Sequence, residues 1–191
     1  MPRVTALRLA DRGRVRVELD GEPWRTLPAA AVVAAGLSAG VELDRPRARA
    51  LRRALRRAAA LSGATAALAR RDRSTADLDD ELARRGVGGP ERAGALETMT
   101  RLGYLDDRRF ASGRAAALAR RGYGDEAIRF DLARRRVPVE QVEPALAALA
   151  PEPERARGLL ARLQGARSAR ALAARGFSPE TIESLLGVSD G

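Results

Sequence analysis

Cysteine and histidine are absent from these 191 residues, and so are lysine and asparagine. The chain therefore cannot form a disulfide, bind a metal through sulfur or imidazole, or pair a serine or cysteine nucleophile with a histidine base. A lysine Schiff base and the lysine of a phosphate-binding loop are excluded as well. A metal held by carboxylates alone stays open, but no acidic loop has ligand spacing. The common classes of free-standing enzyme are thereby set aside, and no cofactor is implied. Aromatic residues make up only 3% of the chain, so its cores must be thin and filled mainly by alanine and leucine. Long hydrophobic runs are also missing. The longest uncharged stretch, Thr26 to Val41, is broken by Pro28, Gly36 and Gly40 and is too short to cross a bilayer. The start, Met1-Pro2-Arg3-Val4-Thr5, lacks the apolar core of a signal peptide, so a soluble cytoplasmic protein is expected.

What is present is arginine. All 35 basic residues are arginine, against 25 acids, giving a formal net charge of +10. A codon bias could explain arginine in place of lysine, but not the surplus over acids. Such a surplus points to an acidic partner, most often nucleic acid. Alanine, leucine and arginine are the strongest helix formers, so a mainly α-helical protein is expected.

Residues 1–43 read differently from the rest. Val15, Val17 and Leu19 alternate with Arg14, Arg16 and Glu18, as in a half-buried strand. Asp11-Arg12-Gly13 and Asp20-Gly21 suit the turns of a three-stranded β-element reaching from Val4 to Leu27. A short apolar helix, Ala29 to Ala35, follows and ends at Gly36. Trp24 either fills the core of so small a sheet or offers a base-stacking platform, and the first is the expectation. The element is small for independent stability.

Asp44 and Pro46 open a helix, as a cap followed by an early proline should. Ala48, Leu51, Leu55 and Ala58 share one face; Arg49, Arg52, Arg53, Arg56 and Arg57 fall mainly on the other. From Pro46 to Asp72 there are eight arginines and one acid. A merely solvated helix would gain by interspersing acids for i,i+4 pairs. Uncompensated arginine suggests that a partner supplies the negative charge.

Beyond it the chain repeats itself. Ala67-Leu68-Ala69-Arg70-Arg71 recurs as Ala117-Leu118-Ala119-Arg120-Arg121. Leu82-Ala83-Arg84-Arg85-Gly86-Val87 recurs as Leu132-Ala133-Arg134-Arg135-Arg136-Val137 and again as Leu172-Ala173-Ala174-Arg175-Gly176-Phe177. Each copy of the second motif precedes a helix start: Pro90-Glu91, Pro138-Val139-Glu140 and Ser178-Pro179-Glu180. This periodicity predicts three tandem three-helix repeats, a basic helix plus the first repeat over 44–105, the second over 106–150, and the third with a short tail over 151–191. The first repeat is expected to lead with Leu61 to Arg71, Ser74 capping its second helix. The aromatics Tyr123, Phe130 and Phe177 are expected to fill repeat cores.

The first and second repeats meet at Gly103-Tyr104-Leu105-Asp106-Asp107-Arg108-Arg109-Phe110-Ala111. Leu96, Met99 and Leu102 precede it at the spacing of a buried helix face. Gly103 suits a left-handed helix end. Asp106 or Asp107 can cap the next helix and place negative charge at its positive end. Tyr104, Leu105 and Phe110 can plug the gap between repeats. Adjacent carboxylates could also suggest acid–base chemistry, but neighbours at a helix start are usually caps.

This run resembles the signature of the RecX family, bacterial regulators of the RecA recombinase. The resemblance extends over roughly 44–187 and takes in Arg73-Ser74 with Leu78 and Leu82, Ile128 with Leu132, and Arg175-Gly176-Phe177-Ser178. Two departures stand out: Asp77-Leu78 where the family commonly has Glu-Leu, and Arg136 where the equivalent positions are Gly86 and Gly176. The resemblance implies a monomeric, non-enzymatic protein with an elongated, curved helical array. It would lie in the groove of the RecA filament on single-stranded DNA, with double-stranded DNA as a further partner, and restrain ATP hydrolysis, filament growth and strand exchange. In that setting Arg49, Arg52, Arg53, Arg56, Arg57, Arg120, Arg121, Arg134, Arg135 and Arg136 are the expected partner-facing residues. Gly103, Tyr104, Leu105, Asp106, Asp107 and Phe110 would set the joint. The rival reading is a general arginine-rich DNA-binding or architectural protein acting without RecA.

Overall fold

The computed structural model describes residues 1–163 and 168–187. Three strands, β1 (Val4–Ala10), β2 (Arg14–Leu19) and β3 (Glu22–Pro28), pair antiparallel in chain order. Both connections are tight because two successive residues in each take positive φ: Arg12 and Gly13 at 58° and 67°, Asp20 and Gly21 at 51° and 87°. This double left-handed geometry matches the right-handed twist of the strands it joins. Val15 and Val17 are buried and alternate with exposed Arg14 and Arg16, as predicted. A six-residue helix, α1 (Ala29–Ala34), then folds against the sheet and contributes Ala31 and Val32 to the same core.

Trp24 departs from expectation. It lies in β3 where the register with β2 shifts, and it is 37% exposed rather than part of the core. The sheet's core is filled instead by small branched side chains, Val4, Val15, Val17 and Leu27, under a layer that the β-element does not itself provide. That layer is α2 (Arg45–Leu68), whose Leu51 is buried in the same cluster with Ala50, Ala54 and Leu55 packed against it. One helix of 24 residues thus replaces the two expected here, because nothing between Arg57 and Leu61 breaks it. Gly63 does not interrupt it either. A Cβ there would stand 3.3 Å from the Leu82 side chain, so the glycine serves close packing rather than a turn.

The remaining helices are α3 (Thr75–Arg84), α4 (Gly89–Arg101), α5 (Asp107–Arg120), α6 (Asp125–Arg134), α7 (Val139–Ala147), α8 (Glu152–Leu163), α9 (Ser168–Ala173) and α10 (Pro179–Leu186). The chain forms two compact units. The first comprises Met1–Arg70 with Glu81–Met99; the second comprises Arg71–Asp80 with the described residues from Thr100 onward. The second unit contains two three-helix clusters. One joins α5, α6 and α7 around Phe110, Leu118, Ile128, Leu132 and Leu146. The other joins α8, α9 and α10 around Ala156, Leu159, Leu172 and Phe177. Each fully buried leucine or isoleucine contributes about 1.5–3 kcal/mol, so cores this thin depend on few side chains.

Two apolar expectations fail here. Phe130 is 65% exposed: the buried positions of α6 are Ile128 and Leu132, and the side chain between them points outward. Leu102 is likewise exposed, since α4 is ending at that point and its buried positions are Ala95 and Met99. Phe177 is buried as expected, and Tyr123 packs against the first cluster while half-buried. The short tail expected after Gly187 lies outside the described residues.

Candidate functional site

The basic helix begins where its cap requires. The Asp44 carboxylate accepts the Arg47 N–H at 2.8 Å, and Pro46 occupies the first turn. With Leu51 fixing the buried face, Arg49, Arg52, Arg53, Arg56 and Arg57 all come out exposed. Arg56 donates to Glu91 at 2.7 Å and holds that carboxyl below its ordinary range. Arg49, Arg52, Arg53 and Arg57 make no ion pair among the described residues. Arg53 and Arg57 stand over a shallow groove of about 460 Å³ between α1 and α2, otherwise lined by alanines and Leu61. A row of guanidinium groups on a rigid helix, each free to offer a planar fork of donors, suits phosphate or carboxylate oxygens.

The arginine doublets divide. Arg120 and Arg134 are exposed and make no ion pair among the described residues, Arg134 lying 5.9 Å from the Phe130 ring centroid. Arg121 is exposed and sits over the Tyr123 ring at 5.4 Å. Arg135 is committed inward: it donates to Asp131 at 3.0 Å and to Asp77 at 2.9 Å. Arg136 donates to Asp80 at 2.5 Å and to the Ala76 carbonyl at 3.1 Å. Asp131 also accepts a two-pronged contact from Arg114 at 2.7 and 2.8 Å. Arg114 first, and Arg135 with it, hold the Asp131 carboxyl down at about 2 despite partial burial.

The run 103–111 is built from caps. Gly103 takes φ 73° and closes α4, and its N–H reaches the Thr100 carbonyl. Leu105 is buried, whereas Tyr104 is 65% exposed and does not plug the joint. The Tyr104 and Gly103 carbonyls instead receive the Arg109 guanidinium, at 3.2 and 3.0 Å, so the loop is held through its backbone. Phe110 packs within the α5–α7 cluster. The two carboxylates have separate tasks. Asp106 caps its own helix by accepting the Arg109 N–H, while Asp107 accepts the N–H of Thr75, the first residue of α3, at 2.7 Å. Both ends of that pairing carry helix-terminus donors, which favours the negative charge.

The same device recurs 45 to 50 residues on, with an acceptor that no sequence motif had marked. Glu152, the first residue of α8, accepts the N–H of Asp125, the first residue of α6, at 2.7 Å. It further accepts the Ser178 hydroxyl at 2.6 Å and the Thr181 hydroxyl at 2.8 Å. Burial alone would raise the Glu152 carboxyl, but these bonds outweigh it and leave it lowered. The backbones match as well. The N-cap Ser74 donates to the Arg135 carbonyl at 2.8 Å; its equivalent Gly124 donates its N–H to the equivalent carbonyl, Arg175, at 2.9 Å. Each junction therefore seats the C-terminal turn of one repeat's second helix on the N-terminus of the preceding repeat's second helix. The recurring Leu-Ala-Arg-Arg motif is that turn. The sequence signal for Glu152 was the Pro151-Glu152-Pro153 break, which resembles a linker more than a clamp.

Residues 106–146, covering α5, α6 and most of α7, match the family model described as RecX, second three-helix domain. A regulatory protein RecX from Acidithiobacillus ferrooxidans is 33% identical over 130 residues, covering 63% of this chain and 83% of the relative. One from Thermus thermophilus is 40% identical over 124 residues, covering 62% and 83%. A crystal structure of a regulatory protein RecX superposes with a TM-score of 0.84 at 20% identity, covering 99% of this chain and 100% of that one. RecX from Lactobacillus salivarius gives 0.63 at 15% identity, covering 69% and 95%. No described helix is long and apolar enough to cross a membrane.

Proposed function

The chain belongs to the RecX family of regulatory proteins, and from that premise we propose that it is a non-enzymatic regulator of homologous recombination and DNA repair. It binds the filament that RecA forms on single-stranded DNA and restrains ATP hydrolysis, filament growth and strand exchange. The observation that carries this reading is the exposed, unneutralised row Arg49, Arg52, Arg53 and Arg57 on α2. On a protein of net charge +10, four cations held on one rigid helix without internal partners attract a polyanion or an acidic protein rim. The exposed arginines Arg120, Arg121 and Arg134 add to the surface available to the filament. Arg135 and Arg136 hold the repeats together instead, and the motif residues of the joint position helices.

The deciding experiment titrates the protein into DNA-stimulated ATP hydrolysis by the cognate RecA. Inhibition at well under one regulator per recombinase monomer is the expected result. No effect at saturation, together with salt-sensitive binding to bare DNA, would overturn the filament reading and favour an architectural protein that works through phosphate contacts alone.

A further inference from the structure

The N-terminal element creates a groove to which the regulator reading gives no occupant. Within the first unit α1 lies against α2, and the groove of about 460 Å³ runs between them. Its lining is mostly alanine: Ala30 and Ala34 on α1, Ala50, Ala54 and Ala58 on α2. On each helix these residues are four apart and so form a row along the axis. Val33 shares a face of α1 with Ala30 and is 78% exposed, a branched apolar side chain left at the surface. Arg53 and Arg57 stand along the α2 wall, also four apart, and make no ion pair among the described residues. The same helix does use a carboxylate that comes within reach, since Arg56 takes Glu91 at 2.7 Å.

Rows of small side chains at one-turn spacing let another helix approach closely, with axes about 8–10 Å apart. An extended segment fits less well. Both walls are helical, with their main-chain groups already bonded inside the helices, so a strand laid between them would leave its inner N–H and C=O groups unpaired. Two guanidinium groups one turn apart match carboxylates at i and i+4 on a facing helix. Nucleic acid would satisfy the arginines but leave the alanine rows and Val33 uncovered. A second copy of this chain would bring one net charge of +10 against another.

We infer that the groove between α1 and α2 docks an acidic amphipathic helix of a partner protein, its apolar face on the alanine rows and Val33 and two of its carboxylates on Arg53 and Arg57. The N-terminal element thereby gains a task, because without α1 the groove has a single wall. The inference goes beyond the regulator reading and shares with it only the two arginines.

The stretch of α2 from Ala50 to Leu61 spans about 17 Å, which a helical peptide of about 16 residues covers. The probe is such a peptide, lactam-stapled and labelled with fluorescein, with leucine and alanine on one face and glutamates at i and i+4 along its edge. It is titrated with the intact protein and followed by anisotropy, and saturable binding is the expected result. Arg53→Glu with Arg57→Glu should weaken binding about tenfold or more and create binding of the same peptide carrying lysine for glutamate. Ala34→Phe, at an exposed position, fills the groove at unchanged charge and should weaken binding about tenfold. The lysine-peptide rescue decides the matter even where Ala34→Phe disturbs folding. No saturation by about 1 mM protein would overturn the inference. So would loss on the arginine exchange with none on a folded Ala34→Phe protein, which would reduce the contact to charge attraction along α2. Equal binding of a proline-interrupted peptide would replace the helix with an extended segment and overturn it too. Equal weakening of oligothymidylate binding by Ala34→Phe would make the groove a nucleic-acid site instead. The peptide titration contains no recombinase and the ATP-hydrolysis titration contains no peptide, so the two readings can fail separately.

Discussion

Gly124 and Gly176 meet backbone to backbone, and alanine at the first of them makes a sharp test of the junction. A Cβ at Gly124 would stand 2.2 Å from the Gly176 carbonyl oxygen and 2.4 Å from both its carbonyl carbon and the Phe177 Cα. Ordinary contact begins at 3.4 Å, so the two segments must part by roughly an ångström. No flexible side chain is present to yield instead. Parting them weakens two bonds, Gly124 N–H to the Arg175 carbonyl at 2.9 Å and Glu126 N–H to the Gly176 carbonyl at 3.1 Å. At about 0.5–1.5 kcal/mol net per bond, with the cost of overpacking added, Gly124→Ala should lose about 3 kcal/mol. For a chain of this size that lowers Tm by roughly 6–12 °C. Gly158, inside α8, is the control, because a Cβ there meets nothing within 4 Å. Helix propensity alone then applies, and Gly158→Ala should gain about 1 kcal/mol and raise Tm by roughly 2–4 °C. Thermal melts followed by circular dichroism at the helix band read both. A Gly124→Ala protein that melts with or above the wild type would refute the close approach, since the same methyl group would then have failed to find an obstacle.

Replacing Arg49, Arg52, Arg53 and Arg57 with glutamine should raise the concentration needed for half-inhibition of RecA ATP hydrolysis at least tenfold, at unchanged helicity and Tm; normal inhibition would remove α2 from the interface. Asp131 gives a pH prediction. Its folded pKa of about 2 lies below the ordinary 3.8, so its stabilisation is complete above the ordinary value and disappears as pH falls through 2. That difference is worth about 2 kcal/mol, and urea unfolding of Asp131→Asn should show the loss at pH 7 but not near pH 2; an equal loss at both would contradict the ionic account. Arg136 adopts φ 52°, a conformation that costs a side chain about 1 kcal/mol or more, and offsets it through Asp80 and Ala76. Arg136→Gly should therefore be close to neutral and Arg136→Ala should be less stable than either in the same unfolding assay; a large loss on glycine substitution would show the guanidinium contacts to dominate.

Features encoded by neighbouring residues were legible from the chain alone. The strand alternation at Val15 and Val17, the double-residue turns, the Asp44 and Ser178 caps and the Leu-Ala-Arg-Arg recurrence all depend on contacts within a few positions. Partners distant in sequence were not legible. Nothing local distinguishes Arg134, which points outward, from Arg135, which is tied to Asp77 more than fifty positions away. Nor does Asp107 reveal that it serves α3 while Asp106 serves α5. Phe130 and Trp24 were assigned to cores because large aromatic residues usually go there; in both places smaller aliphatic neighbours fill the available space. The uninterrupted α2 was hidden by reading a repeat boundary as a helix boundary, though its alanine-rich middle contains no breaker.

Both junctions of the second unit run in the same sense, the C-terminal turn of the later helix always resting on the start of the earlier one. The stack is consequently polar, like a row of arrows rather than a palindrome, and its two extremities are chemically unlike. No rotation exchanges them, so a partner that itself has a direction meets this protein in two non-equivalent orientations, and a contact optimised for one cannot serve the other. The joints also fall at matching cap and turn positions, each with a carboxylate at the start of one helix accepting from the first N–H of another. Gain or loss of an entire repeat would thus preserve the joint chemistry, and the length of the stack could change without a new interface having to be invented.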